Sequence, residues 1–136
     1  MDLKSPTLAG RCPRRDGWRM PLINVYTSAN PLSDGQASAL LKELSASLAR
    51  QLHKPESYVL TCLVPRTHMT FAGQEGPSCY VEVKSIGGLT PQVTKALSRE
   101  LCATLEKALK VPGERIYLVF GDIPAQLWGH DGDTFG

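Results

Sequence analysis

The chain has 136 residues and a formal net charge of +2 at neutral pH, with 42% hydrophobic and 21% charged residues. This length suits a single domain, and the composition excludes a disordered chain and a fibrous repeat. Positive residues are dispersed outside segment 11–15, which argues against nucleic acid as a partner. No apolar run approaches the roughly 20 residues of a membrane-spanning helix, so we predict no membrane span and a cytoplasmic location.

Residues 1–20 differ in character from everything that follows. They contain turn-forming pairs such as Asp16-Gly17 and several basic residues, but no apolar periodicity and no hydrophobic segment of a signal peptide. We therefore expect a disordered leader, or a start site assigned too early, and one domain over residues 21–136.

Two strand–helix–strand units are predicted from Pro21 onward. The first has a β-prone run from position 22, a helix over 33–52 and a buried strand over 58–64. The second has a strand over 79–85, a helix capped by Thr90 with Pro91 at its first position, and a strand over 116–120. A shift of 57 positions superimposes the helix leucines and brings Pro112 onto Pro55. The pattern indicates an internal duplication of a βαβ unit.

Two such units predict an α/β (α+β) fold, a four-stranded mixed sheet with both helices on one face, because crossovers are right-handed. The other face would be uncovered although it too holds alternating apolar residues, so we expect an oligomer that covers it. The same order of elements also fits a ferredoxin-like ligand-binding module, and topology leaves both interpretations open.

The four cysteines show neither C-x-x-C nor zinc-finger spacing, and we predict no metal site and no cofactor. Free cysteine is among the most buried residue types. We therefore expect Cys62, Cys79 and Cys102 to be reduced core residues.

Local sequence blocks distinguish between the two folds. They are MPLI at 20–23, KPESYV at 54–59, MTFAG at 69–73, SIG at 85–87, PGERIY at 112–117 and TFG at 134–136. In this order and with almost no gaps, they resemble the macrophage migration inhibitory factor family of the tautomerase superfamily over residues 21–136.

The resemblance implies a homotrimer whose sheets form a barrel, with an active site at each subunit boundary. It implies a keto–enol tautomerase of the phenylpyruvate tautomerase or dopachrome isomerase type, whose general base is the free N-terminal amine of Pro21. An apolar pocket disfavours the ammonium form of such an amine and lowers its pKa toward the working pH. This chemistry requires translation to start at Met20 or the leader to be removed, and we expect a start at Met20.

The resemblance also assigns the substrate-binding residues for a small aromatic 2-keto acid. Lys54 would pair with the carboxylate, the backbone of Ile86 would hydrogen-bond the substrate, and Tyr117 of the neighbouring subunit would contribute its phenol. Trp128 and Phe135 would line the apolar wall. Without the resemblance, four of these residues have ordinary structural interpretations: Lys54 as a solvated loop lysine, Tyr117 as a strand tyrosine facing the core, and Trp128 and Phe135 as packing at the C-terminus.

Departures from the animal members leave substrate preference open. Val119 stands where the animal cytokine of this family has an asparagine, and His130 stands where it has a tryptophan. Segment 78–81 reads SCYV where animal members have a C-x-x-C, so we expect no dithiol oxidoreductase activity. The alternative function is a trimeric signalling or binding protein without physiological catalysis, which a retained leader would favour. Animal relatives are also exported without a leader, a property that the residues themselves do not predict.

Overall fold

The computed structural model describes residues 20–136, so the predictions for 1–19 lie outside its described part. The chain forms β1 (Leu22–Thr27), α1 (Asp34–Leu52), β2 (Leu60–Val64), β3 (Cys79–Ser85), α2 (Pro91–Leu109), β4 (Ile116–Asp122) and a C-terminal hairpin of β5 (Gly129–His130) and β6 (Asp133–Thr134). Single 3₁₀ turns cover Glu56–Tyr58, Gly113–Arg115 and Ala125–Leu127.

The four long strands form one mixed sheet in the order β2-β1-β3-β4. β1 pairs with β2 in parallel and with β3 antiparallel, and β3 pairs with β4 in parallel. This is the predicted arrangement of two βαβ units, and the fold prediction is confirmed.

Both helices cover the same face of the sheet. Their buried leucines pack against alternate residues of the central strands, such as Ile23 and Val81, in one continuous core. Leu44 and Leu101, which the 57-residue shift superimposes, are both completely buried. Glu100 of α2 accepts hydrogen bonds from Arg50 and from Gln51 of α1, the latter at 2.8 Å, which ties the helices together.

The helix ends repeat the duplication. Ser33 and Thr90 cap the N-termini by accepting backbone N–H bonds at 3.2 Å each. His53 and Lys110, also 57 positions apart, both end their helices in the left-handed conformation, with φ of 56° and 59°.

Two strand boundaries differ from the sequence prediction, and one hairpin is additional to it. The second strand begins at Leu60 rather than residue 58, because Glu56–Tyr58 closes a 3₁₀ turn first. The fourth strand continues to Asp122, and the β5–β6 hairpin was not predicted. Two-residue strands have too little alternation for a pattern to reveal them.

No helix within residues 20–136 covers the second face of the sheet. Across it, Tyr26, Tyr80 and Tyr117 lie in one row of paired residues, and Asn24, Glu82 and Val119 lie in the next row. The rings of Tyr26 and Tyr80 stack at 5.7 Å, and the Tyr80 hydroxyl donates to Glu82 at 2.8 Å, which raises the pKa of Tyr80. Large side chains on this face remain open to solvent in a single chain: Leu60 at 62%, Tyr117 at 63% and Val119 at 51%.

The cysteine prediction is right for one residue and wrong for another. Cys79 is buried facing the helices, and its burial raises the pKa of the thiol. Cys62 is exposed, because it pairs with Asn24 and shares the uncovered face. Cys102 on α2 is half-buried, and desolvation raises its thiol pKa.

None of the helices within residues 20–136 combines the length and apolar character that a bilayer crossing requires.

Candidate active site

Pro21 lies immediately before β1, at the edge of the sheet where this strand begins. The residue is buried, and its carbonyl oxygen accepts the N–H of Leu60 at 3.2 Å. A proline lacks the N–H that a ladder requires, so a position just ahead of the first strand residue suits it. The backbone of residue 21 is thereby fixed against β2.

A small apolar cluster surrounds the residue that precedes Pro21. Met20 is 5% exposed and packs with Phe135, which is 8% exposed; Ile86, Ala125 and Trp128 pack against this pair. The cluster is separate from the main core between the sheet and the helices. Three of the predicted site residues, Ile86, Trp128 and Phe135, are therefore brought together beside Pro21.

The strand register explains why Ile86 is there. β3 runs antiparallel to β1, with Leu22 opposite Lys84, so the residues after Ser85 lie at the end of the sheet where β1 starts. The turn is fixed by the Gly87 N–H, which donates to the Asp122 carboxylate at 2.9 Å. Gly87 has a φ of 75°, which glycine adopts without steric cost.

The C-terminal segment supplies the aromatic wall. A 3₁₀ turn at Ala125–Leu127 leads into the hairpin, and the Trp128 N–H donates to the Ala125 carbonyl at 3.2 Å. The Phe135 N–H donates to the Trp128 carbonyl, also at 3.2 Å. The hairpin thus returns Phe135 to Trp128, a contact that the sequence pattern alone did not reveal.

Lys54 lies at the same end of the sheet. α1 returns antiparallel to β1, so its C-terminus reaches the edge where β1 begins. The Lys54 N–H donates to the Ala49 carbonyl at 2.9 Å, and the side chain is half-buried. The loop that follows leads directly to Leu60, the backbone partner of Pro21.

Tyr117 lies at the opposite end of the same subunit. It pairs with Tyr80, which pairs with Tyr26, five residues along β1 from Pro21. At about 3.3 Å per residue, this places Tyr117 about 17 Å from Pro21 along the strand direction. Pro21 and Tyr117 of one chain therefore do not line the same small site.

His130 and Val119, the two departures from the animal members, lie in different regions of the chain: one near Pro21 and the other near Tyr117. The His130 ring stacks on Phe135 at 5.8 Å with 18° between the planes, so it borders the apolar cluster near Pro21. Val119 lies on the uncovered face two residues beyond Tyr117 and takes no part in that cluster. Met20 and Ala125 were not predicted as site neighbours. Within residues 20–136, no group of three or more His, Cys, Asp or Glu side chains is placed to hold a metal ion.

The sequence and the fold place the chain among known proteins. A sequence model of the macrophage migration inhibitory factor family matches residues 20–136. The chain belongs to this family. The family match begins at Met20, directly before Pro21, and residues 1–19 lie outside it.

Family members of known sequence and structure align with this chain over almost their whole length. A macrophage migration inhibitory factor homolog of Brugia malayi is 37% identical over 117 residues, which covers 86% of this chain and all of that protein. The crystal structure of the homologue from Prochlorococcus marinus is 49% identical, with a TM-score of 0.81, and covers 85% of this chain and 99% of that one. The Toxoplasma gondii structure is 31% identical, with a TM-score of 0.79, and covers 84% and 99%.

Proposed function

We propose that the chain is a keto–enol tautomerase that uses the amino nitrogen of Pro21 as its general base. The observation that carries the proposal is the burial of Pro21 at the head of β1, beside an apolar cluster of Phe135, Trp128 and Ile86. Removal of Met20 would leave this cluster as an apolar cavity with the prolyl nitrogen beside it.

The surroundings suit a secondary amine that must be neutral to work. Apolar neighbours disfavour the ammonium form, and a nearby cation such as Lys54 acts in the same direction, so both lower the pKa of the amine. The neutral nitrogen takes a proton from the carbon next to the keto group of the substrate and returns a proton to the keto oxygen. The net result is the enol, with no change in oxidation state and no cofactor.

A small aromatic 2-keto acid such as phenylpyruvate is the proposed substrate class. Its ring would occupy the space beside Trp128 and Phe135, and its carboxylate would pair with Lys54 at the same end of the sheet. The backbone of Ile86 would hydrogen-bond the substrate. Charge-assisted pairs of this type are among the stronger polar contacts.

The proposed assembly is a homotrimer that buries the uncovered sheet faces. The exposed Leu60, Val119 and Tyr117 on this face support an interface, since such patches on folded domains mark interaction sites. The separation of Tyr117 from Pro21 supports sites at subunit boundaries, where each Tyr117 would complete the site of a neighbour.

The active form is proposed to begin at Pro21. Initiation at Met20 followed by removal of this methionine would expose the amine, and the family match starts at the same residue. The second candidate is a trimeric signalling or binding protein. A chain that retains Met20 has no free prolyl amine, and the Met20 side chain fills the apolar cluster, so such a chain could not use Pro21 as a base.

The decisive experiment is the intact mass and N-terminal sequence of the native protein, followed by a phenylpyruvate tautomerase assay of the same sample. We expect a chain that begins at Pro21 and is active, and a Pro21→Gly variant that folds and assembles normally but has lost most turnover. A native chain that begins at Met1 and is inactive would contradict the catalytic proposal and leave the trimeric binding protein.

Replacement of Lys54 by methionine is expected to raise KM for phenylpyruvate at least about tenfold, since a hydrogen bond to a charged group contributes about 1.5–3 kcal/mol. It should also shift the rising limb of the pH–rate profile to higher pH. The sign follows because loss of the cation raises the pKa of the Pro21 amine, which must be neutral to act. Initial rates across a pH series test both effects. Lys42→Met on the exposed side of α1 is the control, and an unchanged KM in Lys54→Met would exclude carboxylate pairing.

The uncovered face can be probed through Cys62. In a chain that begins at Pro21, three thiols remain, and we expect Cys62 to react slowly with a maleimide in the trimer and rapidly once the trimer dissociates. Mass spectrometry after timed labelling identifies the site, and Cys62→Ser removes the fast signal. Rapid labelling of Cys62 in a particle of trimer mass would show that this face is not the interface.

A further inference from the structure

Arg115 anchors the segment that precedes β3. Its Nε donates to the Pro77 carbonyl at 2.8 Å and to the Ser78 hydroxyl at 3.1 Å, and its Nη2 donates to the carbonyls of Gln74 and Gly76 at 3.1 and 3.4 Å. One guanidinium group therefore holds three backbone carbonyls and one side-chain hydroxyl within residues 74–78. A planar fork of donors can do this, whereas the compact ammonium of lysine cannot reproduce it.

Gly76 makes the close approach sterically acceptable. Its φ is 133°, outside the range that side-chain-bearing residues prefer, and an added Cβ would lie 3.4 Å from Nη2 of Arg115. The segment is thus shaped around the arginine.

The same guanidinium is linked to Tyr117 through an aromatic ring. It lies over Phe71, 5.6 Å from the ring centroid, and Phe71 meets Tyr117 edge-on at 5.0 Å and 69°. Phe71 and Gln74 also exchange two backbone hydrogen bonds, and the Gln74 carbonyl accepts a further hydrogen bond from Arg115. A cavity of about 390 Å³ opens beside Phe71 and Tyr117.

Phe71 is an aromatic neighbour of Tyr117 within the same chain. In a single chain Tyr117 is 63% exposed on the uncovered sheet face, so the contact with the edge of Phe71 favours one orientation of its ring before a second copy packs against it. We propose that Arg115 is a positioning residue that acts through Phe71 to orient Tyr117 for the active site of a neighbouring subunit. This inference rests on the proposed function, in which Tyr117 completes the site around another chain's Pro21.

Chains that begin at Pro21 allow a direct kinetic test with phenylpyruvate. Arg115→Lys is expected to lower kcat/KM about tenfold, less than the roughly hundredfold loss that a displacement of about 1 Å causes in a preorganised site. The matched control is Arg66→Lys. Arg66 is an exposed arginine in the loop between β2 and β3 and makes no hydrogen bond or ion pair within residues 20–136, so this variant should retain wild-type rates. Arg115→Lys should add little to the loss in Tyr117→Phe, because both changes remove the same oriented phenol. Fully additive losses, or a loss below about twofold in Arg115→Lys, would overturn the proposal.

Mixed trimers test whether Arg115 acts across the subunit boundary. Pro21→Gly chains lack the prolyl amine but carry an intact Arg115 and Tyr117, and Arg115→Lys chains carry an intact prolyl amine. In a cyclic trimer that contains both kinds of chain, one boundary in three joins a native Pro21 to a neighbour with native Arg115 and Tyr117. We therefore expect about one third of wild-type activity. Activity no higher than that of the Arg115→Lys trimer would show that Arg115 does not act across the boundary.

A second mixture separates this inference from the proposed function. Heterotrimers of Pro21→Gly and Tyr117→Phe chains contain the same native boundary without any change at Arg115. If they recover activity and the Arg115→Lys mixture does not, the positioning role is wrong and the tautomerase proposal stands. If Pro21→Gly homotrimers are as active as wild type, the proposed function itself fails.

Discussion

A chain that retains residues 1–20 is expected to convert phenylpyruvate about 10²–10⁴-fold more slowly than a chain that begins at Pro21, the usual contribution of a general base. The prolyl nitrogen is then part of a peptide bond and has no basic lone pair. The measurement compares initial rates of the two forms, with the longer chain purified through an N-terminal tag so that products of initiation at Met20 are removed. Equal rates would exclude Pro21 as the base.

The retained leader should also block binding, for a steric reason. The Met20 side chain is 5% exposed and packs against Phe135, in the space proposed for the substrate ring. We expect calorimetric titration with phenylpyruvate to detect binding to a leader-bearing Met20→Gly chain, which still cannot turn the substrate over. The leader-bearing wild type and a Met20→Leu variant should not bind, because leucine fills nearly the same volume. Binding to the wild type as strong as to Met20→Gly would show that the cluster is not the substrate site.

Truncation of either core leucine, Leu44→Ala or Leu101→Ala, is expected to lower the free energy of unfolding by about 2–5 kcal/mol. Both side chains are completely buried where the two helices meet the sheet, so each truncation leaves a cavity. The two losses should be similar, because these residues hold equivalent positions in the two βαβ units. Urea unfolding measures the effect at one fixed chain concentration, since the stability of an oligomer depends on concentration.

Leu127→Ala is the matched control for this comparison. The same atoms are removed, but Leu127 is 69% exposed in the turn before the C-terminal hairpin. A surface change of this kind usually alters stability by no more than about 0.5 kcal/mol. A loss at Leu127 as large as at Leu101 would mean that the outer turn is buried in the assembly.

The helices, the strand order within each unit and the duplication were all determined by the sequence. Apolar spacing of three and four residues, the Thr90 cap with Pro91 after it, and the alternation over Cys79–Ser85 are local signals, because backbone geometry sets their period. The covered and uncovered faces of the sheet followed from right-handed crossovers. The individual site residues came instead from the resemblance of short blocks, since one-residue identities such as Lys54 carry no periodicity.

Tertiary structure alone decided which of these residues meet. Pro21 and Tyr117 lie at opposite ends of the sheet, because β4 runs parallel to β3 and both strands run antiparallel to β1. The return of Phe135 to Trp128 depends on a hairpin of two-residue strands, and the exposure of Cys62 depends on its register with Asn24. Such contacts join residues far apart in the chain through strand register and close packing, neither of which a local sequence pattern records.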